Sequence, residues 1–254
     1  MRLVSWNVDS FHSIMEQGFL NILKRLNADI FCIQNICLYS GEQLLTTPHY
    51  HQYWNYSESS GNAGTAIFTK KEPQMVIKGL GFSQFDHEGR TITLEYPDFF
   101  FVNTFSPFSG HHLVNLKLRQ QWDRIFQAFI NALTATKPVI VGGDFNVAYQ
   151  PSDIFDPTTN HQSANFTDTE RRNFGDLLND GFTDSFRYCH PYQPEAYTWW
   201  QQPDDRQNNR GTRVDYFLIS HHLKHHVQYS KILNQIYGST HCPIELGLSQ
   251  RSDF

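Results

Sequence analysis

The run Pro138-Val-Ile-Val-Gly-Gly-Asp-Phe-Asn146 is an apolar strand pattern that ends in two glycines and then offers Asp144 and Asn146, two residues apart and so on one side of an extended chain. A carboxylate can take a proton from water and an amide beside it can donate to a phosphate oxygen, so the pair suits attack of water on phosphorus. The same residues are also the vocabulary of a strand followed by an Asx-type turn. Three further segments repeat the pattern of polar groups at strand ends: Ser5-Trp-Asn-Val-Asp9, Arg213-Val-Asp-Tyr-Phe217 and Gly238-Ser-Thr-His-Cys-Pro243. Asp215 lies between Val214 and Phe217, where an ionised carboxylate needs a partner. His241 can be that partner. A carboxylate on one ring nitrogen fixes the tautomer and raises the imidazole pKa, leaving the other nitrogen for substrate.

These residues need a scaffold that gathers strand ends. Leu3 to Asn7 and Ile30 to Gln34 read as strands flanking a helix at roughly residues 15–27, where Ile14, Leu20, Leu23 and Leu26 recur at near-helical spacing. Further strands are expected at Gly64–Lys70, Gln74–Lys78, Arg90–Tyr96, Phe99–Thr104, Pro138–Val141, Arg213–Ser220 and Pro243–Leu248. Leu113–Leu133 and Asp168–Leu178 read as helices. Strands outnumber helices and arrive in hairpin-like groups, which disfavours a doubly wound sheet or an eight-fold βα barrel and favours two packed sheets with helices on the outer faces.

With 254 residues, no repeat and no Pro/Gly/Ser-rich linker, the chain is expected to form a single domain over residues 1–254. A hydrophobic content of 39% excludes a disordered chain. Apolar runs fall short of a membrane span and the start reads as a strand, so a soluble, cytoplasmic protein with no membrane partner is expected. Cys32, Cys37, Cys189 and Cys242 form no C-x-x-C pair and read as reduced thiols. Lys plus Arg number 20 against 25 Asp plus Glu, a net charge of −5. No overall basic field draws the protein to nucleic acid, although a metal-assisted phosphodiesterase needs only a carboxylate-lined pocket and a local cationic patch.

Trp6-Asn-Val-Asp9, Ala63-Gly-Thr-Ala, Val102-Asn-Thr-Phe-Ser-Pro107, Arg119 to Asp123, Gly143-Asp-Phe-Asn146, Phe166-Thr-Asp-Thr-Glu-Arg171, Gly181-Phe-Thr-Asp-Ser-Phe186, Tyr197-Thr-Trp-Trp200, Arg213-Val-Asp-Tyr-Phe217 and His241-Cys-Pro follow one another in an order that resembles exonuclease III and the class II abasic-site endonucleases of the endonuclease/exonuclease/phosphatase superfamily, its Gram-positive bacterial branch in particular. The resemblance spans Leu3 to Leu248. It implies an α/β fold of the DNase I-like kind, a four-layer αββα sandwich in which two packed mixed β-sheets are flanked by helices. It implies a metal-dependent DNA phosphodiesterase of base-excision repair, a hydrolase acting as a monomer on double-stranded DNA at an abasic site, a nick or a 3′ end. The catalytic set would be Asp144 activating water, Asn146 positioning phosphate, and His241, oriented by Asp215, stabilising the phosphate in the transition state. Asn7, Asp9 and Asn35 would hold Mg²⁺ (or Mn²⁺), and Phe105, Trp199 and Arg213 would face the substrate.

The chain departs from the family's pattern at this same place. Asn35 stands where the metal-binding Glu follows Gln, and Thr240 where an Asp precedes the histidine, so the metal is expected to be weakly bound. Phe105 replaces a phosphate-contacting Tyr, Phe108 an Asn, His12 an Arg and Thr212 a Trp that walls the sugar pocket. Impaired or altered activity is therefore one expectation. A catalytically inactive DNA-end or lesion binder, or a phosphodiesterase or phosphatase acting on another substrate, are the alternatives. Lys70, Lys71, Arg171, Arg172, Arg206, Arg210 and Arg213 are the candidate DNA-contacting cations. The run His221-His-Leu-Lys-His-His226 would pair histidines at i and i+4 if helical, but a solvated surface turn is the better reading.

Overall fold

A computed structural model describes residues 1–41, 45–58 and 63–249. Among these residues twelve strands form two six-stranded sheets. The first sheet contains β1 (Arg2–Asn7), β2 (Ile30–Gln34), β3 (His51–Asn55), β4 (Thr65–Thr69), β11 (Val227–Ile232) and β12 (Ile244–Leu248), in the order β11-β12-β1-β2-β4-β3. The second contains β5 (Met75–Lys78), β6 (Thr91–Glu95), β7 (Phe100–Phe105), β8 (Val139–Asp144), β9 (Phe182–Asp184) and β10 (Asp215–Ser220), in the order β5-β6-β7-β8-β10-β9. The longer helices are α1 (Phe11–Glu16), α2 (Phe19–Leu26), α3 (Leu116–Thr134) and α4 (Asp168–Asn179).

Alternation along the strands builds four layers. Leu3, Ile30, Cys32, Ile67, Phe101, Ile140 and Phe217 interdigitate between the sheets. Their neighbours point the other way: Val4, Trp6, Phe31 and Phe68 meet Phe19 and Leu23 of α2, while Val102, Val139, Val141 and Leu218 meet Trp122, Phe126 and Phe174 of α3 and α4. Strands covered on both faces read as nearly continuous apolar runs, which is how β2, β8 and β10 read. Polar bridges cross between the sheets, among them the Gln34 amide donating to Asn103 Oδ1 at 2.8 Å and the Asn103 amide donating to the Ile33 and Ala66 carbonyls.

Connectivity brings the strand ends together. β1 and β2 are parallel, joined through α1 and α2, and β7 and β8 are parallel, joined through α3; the remaining pairs are antiparallel. The C-terminal ends of β1, β2, β7 and β8 thus share an edge with the starts of β10 and β12, whose chains run the opposite way. Asn7, Phe105 and Asp144 end strands there, Asn35 follows β2, Asp215 opens β10 and His241 precedes β12.

The expected helix over residues 15–27 is two helices. Gly18, at φ +87°, breaks it, Ser10 caps α1, and Phe19, Ile22, Leu23 and Leu26 of α2 are the buried stripe. β3, β9 and β11 were not expected from the patterning, and each lies at the edge of a sheet. The paired glycines before Asp144 serve the sheet itself. A Cβ at Gly143 would collide with the Thr104 carbonyl and one at Gly142 would come within 2.6 Å of Phe217. Residues His221–His226 form a 3₁₀ helix rather than an α-helix, so i and i+4 do not share a face; His221 bonds Thr183 and His226 bonds Ser249. No helix among the described residues is long and apolar enough to cross a membrane.

Candidate active site

The shared edge opens into a cleft of about 690 Å³ lined by Asn7, Asp9, Asn35, Phe105, Asp144, Asn146, Trp199 and His241. Asp144 is pinned from two sides. Its Oδ2 accepts the Asn7 side-chain amide at 2.8 Å and its Oδ1 the Asn146 backbone N–H at 2.8 Å. Asn146 reaches this position in a left-handed turn (φ +47°), and its own amide donates to the Ser106 carbonyl at 2.9 Å. Arg119 of α3, almost fully buried, holds the turn from beneath by donating to the Phe145, Asn146 and Pro107 carbonyls.

Asp215 lies directly across from Asp144 in the β8–β10 register and stands behind the cleft wall. Its Oδ2 accepts the His241 Nδ1–H at 2.8 Å, while the backbone N–H groups of Val214 and Asp215 donate to the buried Thr198 hydroxyl. The His241 backbone carbonyl accepts from the Trp6 indole at 3.1 Å. His241 Nε2 is 3.9 Å from Asp144 Oδ2, too far for a hydrogen bond, and both groups face the cleft. Burial pushes the Asp144 carboxyl up, Asp215 adds like-charge repulsion, and His241, the Asn146 N–H and Asn7 oppose, leaving it at about 6. Burial by itself would lower the His241 imidazolium. The charge and hydrogen bond of Asp215, with Asp144 and Asp9 in support, override burial and raise it to about 9.

Asp9 caps the loop that carries His241. Its Oδ2 accepts the Ser239 hydroxyl at 2.9 Å and the Thr240 N–H at 2.6 Å, and its Oδ1 accepts the Thr240 hydroxyl at 3.0 Å. One oxygen of each member of the expected metal trio keeps acceptor capacity. Asp9 Oδ1 accepts a single bond from Thr240, Asn7 Oδ1 one from the Asp9 N–H, and Asn35 Oδ1 one from the Cys37 thiol. Three oxygen donors facing one cleft suit a hard divalent cation, with one carboxylate among them. Ligand atoms of Asp144, Asp215 and His241 lie within 4.8 Å of one another, an acidic and histidine cluster that could also bear on a metal.

Residues 4–243 match the Endonuclease/Exonuclease/phosphatase family. The chain belongs to that family. It is 41% identical to the exodeoxyribonuclease of Bacillus subtilis (strain 168) over 248 residues, covering 97% of this chain and 98% of that one. It is also 41% identical to the DNA repair nuclease APEX1 of Danio rerio over 255 residues, 98% of this chain and 82% of that one. The solved AP endonuclease LMAP from Leishmania major superposes with a TM-score of 0.90 at 24% identity, covering 98% of this chain and 88% of that one, and shares the fold of two mixed sheets flanked by helices. This is a hydrolase family, and the chain's relatives in it include an exodeoxyribonuclease, a DNA repair nuclease and a DNA-(apurinic or apyrimidinic site) endonuclease.

Arg213 is the one expected substrate contact of the family pattern that lies away from the cleft. Its guanidinium is 1% exposed and holds Asp153 at 2.9 Å and Asp184 at 2.8 Å, with Arg187 also on Asp153. It is a buried strut beneath the loop that carries Trp199, because two carboxylates with no route to solvent require a cation. The other candidate cations also have structural partners: Lys70 reaches the Asn27 carbonyl, Arg171 stacks on Phe166, Arg206 donates to the Ser239, Asn234 and Ile236 carbonyls, and Arg210 pairs with Asp205. Lys71 and Arg172 are exposed and none of the seven lines the cleft. Sequence reasoning passed over Thr198, Ser239 and Arg119 as parts of the site. Ser239 was signalled by its place in Gly238-Ser-Thr-His241, Thr198 by its place beside Trp199 and Arg119 by opening the Arg119–Asp123 motif, but only the fold shows what each one holds.

Proposed function

We propose that residues 1–254 act as one endonuclease/exonuclease/phosphatase domain, a monomeric cytoplasmic enzyme that hydrolyses phosphodiesters of double-stranded DNA at abasic sites, nicks or 3′ ends during base-excision repair. The observation that carries this reading is the Asp144–His241 pair facing one cleft with Asp215 behind the imidazole. At neutral pH Asp144 is largely ionised and takes a proton from a water placed against phosphorus. His241, held as the imidazolium by Asp215, donates from Nε2 to a non-bridging oxygen as negative charge grows there. Asn146 spends one amide N–H on Ser106 and keeps the second for the phosphate. Asn7 keeps Asp144 in line. Phe105 and Trp199 supply apolar walls for the sugar. Asp9, with the amide oxygens of Asn7 and Asn35, would hold Mg²⁺ or Mn²⁺ weakly; a bound cation neutralises phosphate charge.

The test is cleavage of abasic-site duplex, nicked duplex and a simple phosphodiester, each in Mg²⁺ and in Mn²⁺, by the wild-type protein and by Asp144→Asn. Loss of the base should lower the DNA cleavage rate about 10²- to 10⁴-fold. Equal rates for the two proteins would remove the assignment. A second reading is favoured by Asn35 and Thr240, which leave Asp9 as the single carboxylate of the metal trio: a DNA-end or lesion binder without catalysis. It requires salt-sensitive duplex binding with no cleavage in either metal.

A further inference from the structure

Asp215 and His241 belong to different sheets. Asp215 opens β10 of the second sheet and His241 precedes β12 of the first, yet the carboxylate accepts the imidazole Nδ1–H at 2.8 Å. Where β10 and β12 face each other the sheets meet through apolar side chains, among them Phe217, Ile219, Ile244 and Leu246. Apolar packing is non-directional and does not by itself hold a hydrogen bond to its short, narrow range of lengths. A directional tie between the two sides is needed.

The segment Thr198–Trp200 makes that tie. On the side of β10, the Thr198 N–H donates to the Thr212 carbonyl at 3.0 Å, and Trp199 and Thr212 exchange backbone bonds at 2.9 Å. On the side of His241, the Cys242 N–H donates to the Thr198 carbonyl at 2.8 Å and the Trp200 N–H to the Thr240 carbonyl at 3.1 Å. The Thr198 side chain adds bonds that its backbone cannot make. Its buried hydroxyl accepts the Val214 N–H at 3.1 Å and the Asp215 N–H at 3.2 Å, which uses both acceptor sites of the oxygen. These bonds fix the backbone from which the Asp215 carboxylate extends. The peptide joining His241 to Cys242 is held from two sides, its N–H by Thr198 and its carbonyl by the Trp6 indole at 3.1 Å.

We propose that Thr198 is a positioning residue for the Asp215–His241 pair, a strap between the two sheets whose hydroxyl sets where Asp215 stands and whose carbonyl sets where His241 stands. Thr198 is fully buried and does not line the cleft, so it acts through the imidazole and not on substrate. A misplacement of about 1 Å in a catalytic group costs about 10²-fold in rate. The kinetic consequence rests on the reading of the protein as a DNA phosphodiesterase, whereas the geometric one does not.

The experiment compares Thr198→Val, which keeps the shape of the side chain without its oxygen, with Thr198→Ser, which keeps the oxygen. The Nδ1–H proton of His241 is read by NMR in metal-free protein carrying ¹⁵N-histidine, assigned by its loss in His241→Gln, and kcat and KM are measured on abasic-site duplex in Mg²⁺ and in Mn²⁺. Wild type and Thr198→Ser should show the downfield resonance of an imidazole N–H bonded to a carboxylate. Thr198→Val should move that resonance upfield or broaden it, and should lower kcat about 10- to 100-fold with KM changed less than about threefold. Thr198→Ala leaves room for a water to take the two N–H groups; it should move the resonance the same way, and it carries the test if the valine variant does not fold. A wild-type resonance in folded Thr198→Val or Thr198→Ala would overturn the strap, as would an equal loss of kcat in Thr198→Ser. A wild-type protein that cleaves no DNA, with the resonance still moved in the variants, would overturn the phosphodiesterase reading and leave the strap standing.

Discussion

At the scale of single residues, the site depends on two groups whose protonation is set by burial and by each other. Asp144 must be ionised and His241 protonated for the proposed chemistry, so kcat/KM should follow a bell with an acid limb near 6 and an alkaline limb near 9. Asp215→Asn removes the charge that holds the imidazolium. Its alkaline limb should fall from about 9 toward or below the ordinary histidine range, a shift readable in a pH–rate profile and by NMR titration of His241. A profile with the alkaline limb unmoved would show that Asp215 does not act through His241. Asn35 gives the second residue-scale prediction. Asn35→Glu places a full charge beside Asp9, and Mn²⁺ or Mg²⁺ affinity should tighten about tenfold or more in a calorimetric titration. Thr240→Asp is different, because the Thr240 hydroxyl now donates to Asp9 Oδ1 and a carboxylate there would repel it. That variant should lose thermal stability without metal and regain it as Mn²⁺ is added.

At the scale of elements, β8 illustrates how a strand is shaped by its neighbours. Gly143 lies so close to β7 that any side chain would meet the Thr104 carbonyl, and rigid backbone on both sides leaves no room to yield. Gly143→Ala should cost about 3 kcal/mol or more in urea unfolding and displace Asp144 by shifting the end of its strand. Stability within about 0.5 kcal/mol of wild type would show that the strands can separate. The patterning located nine strands, the eight interior ones and the edge strand β5, from their runs of apolar, β-branched and aromatic residues. It passed over β3, β9 and β11 for a physical reason. Each is an edge: β3 can carry polar residues on its exposed half, as His51 and Gln52 do, while β9 is largely buried but only three residues long, too short for a pattern to show. The helix over residues 15–27 was legible in its stripe but not in its break, because one glycine at φ +87° outweighs the periodicity on either side.

At the scale of the whole molecule, the raised pKa values of Asp144 and His241 make global stability depend on pH in a stated direction. Both cause the folded state to bind protons that the unfolded chain has released. Stability should therefore fall as pH rises from about 4 to 6 through Asp144. The contribution of His241 is fully present below about 6.5 and is lost as pH rises through about 9. The difference in unfolding free energy between wild type and Asp144→Asn should grow across pH 4–6, up to roughly 3 kcal/mol in favour of the variant, measured at constant ionic strength. A difference independent of pH would place the Asp144 carboxyl in its ordinary range. The same comparison sets a cost on the site, since a buried, repelled carboxylate is kept where chemistry rather than stability requires it.

The sequence by itself determined the layer architecture and the family, and it put forward the reactive groups of the proposed chemistry. Alternating burial, the spacing of Asp144 and Asn146, and the need of Asp215 for a partner are local properties that survive without coordinates. The departures at Asn35, Thr240, Phe105 and Phe108 were equally visible. Only the tertiary structure decided which charged groups serve the site and which serve the core. Arg213 read as a substrate contact because a cation beside a catalytic strand suggests phosphate, yet Asp153 and Asp184, 60 and 29 residues away, bury it in an ion cluster. Asp9 read as a metal ligand, and the fold gives it the further task of holding the loop of His241 through Ser239 and Thr240. The physical reason is that a charge is assigned by the partners it meets after folding, and those partners come from chain segments whose proximity no local pattern encodes.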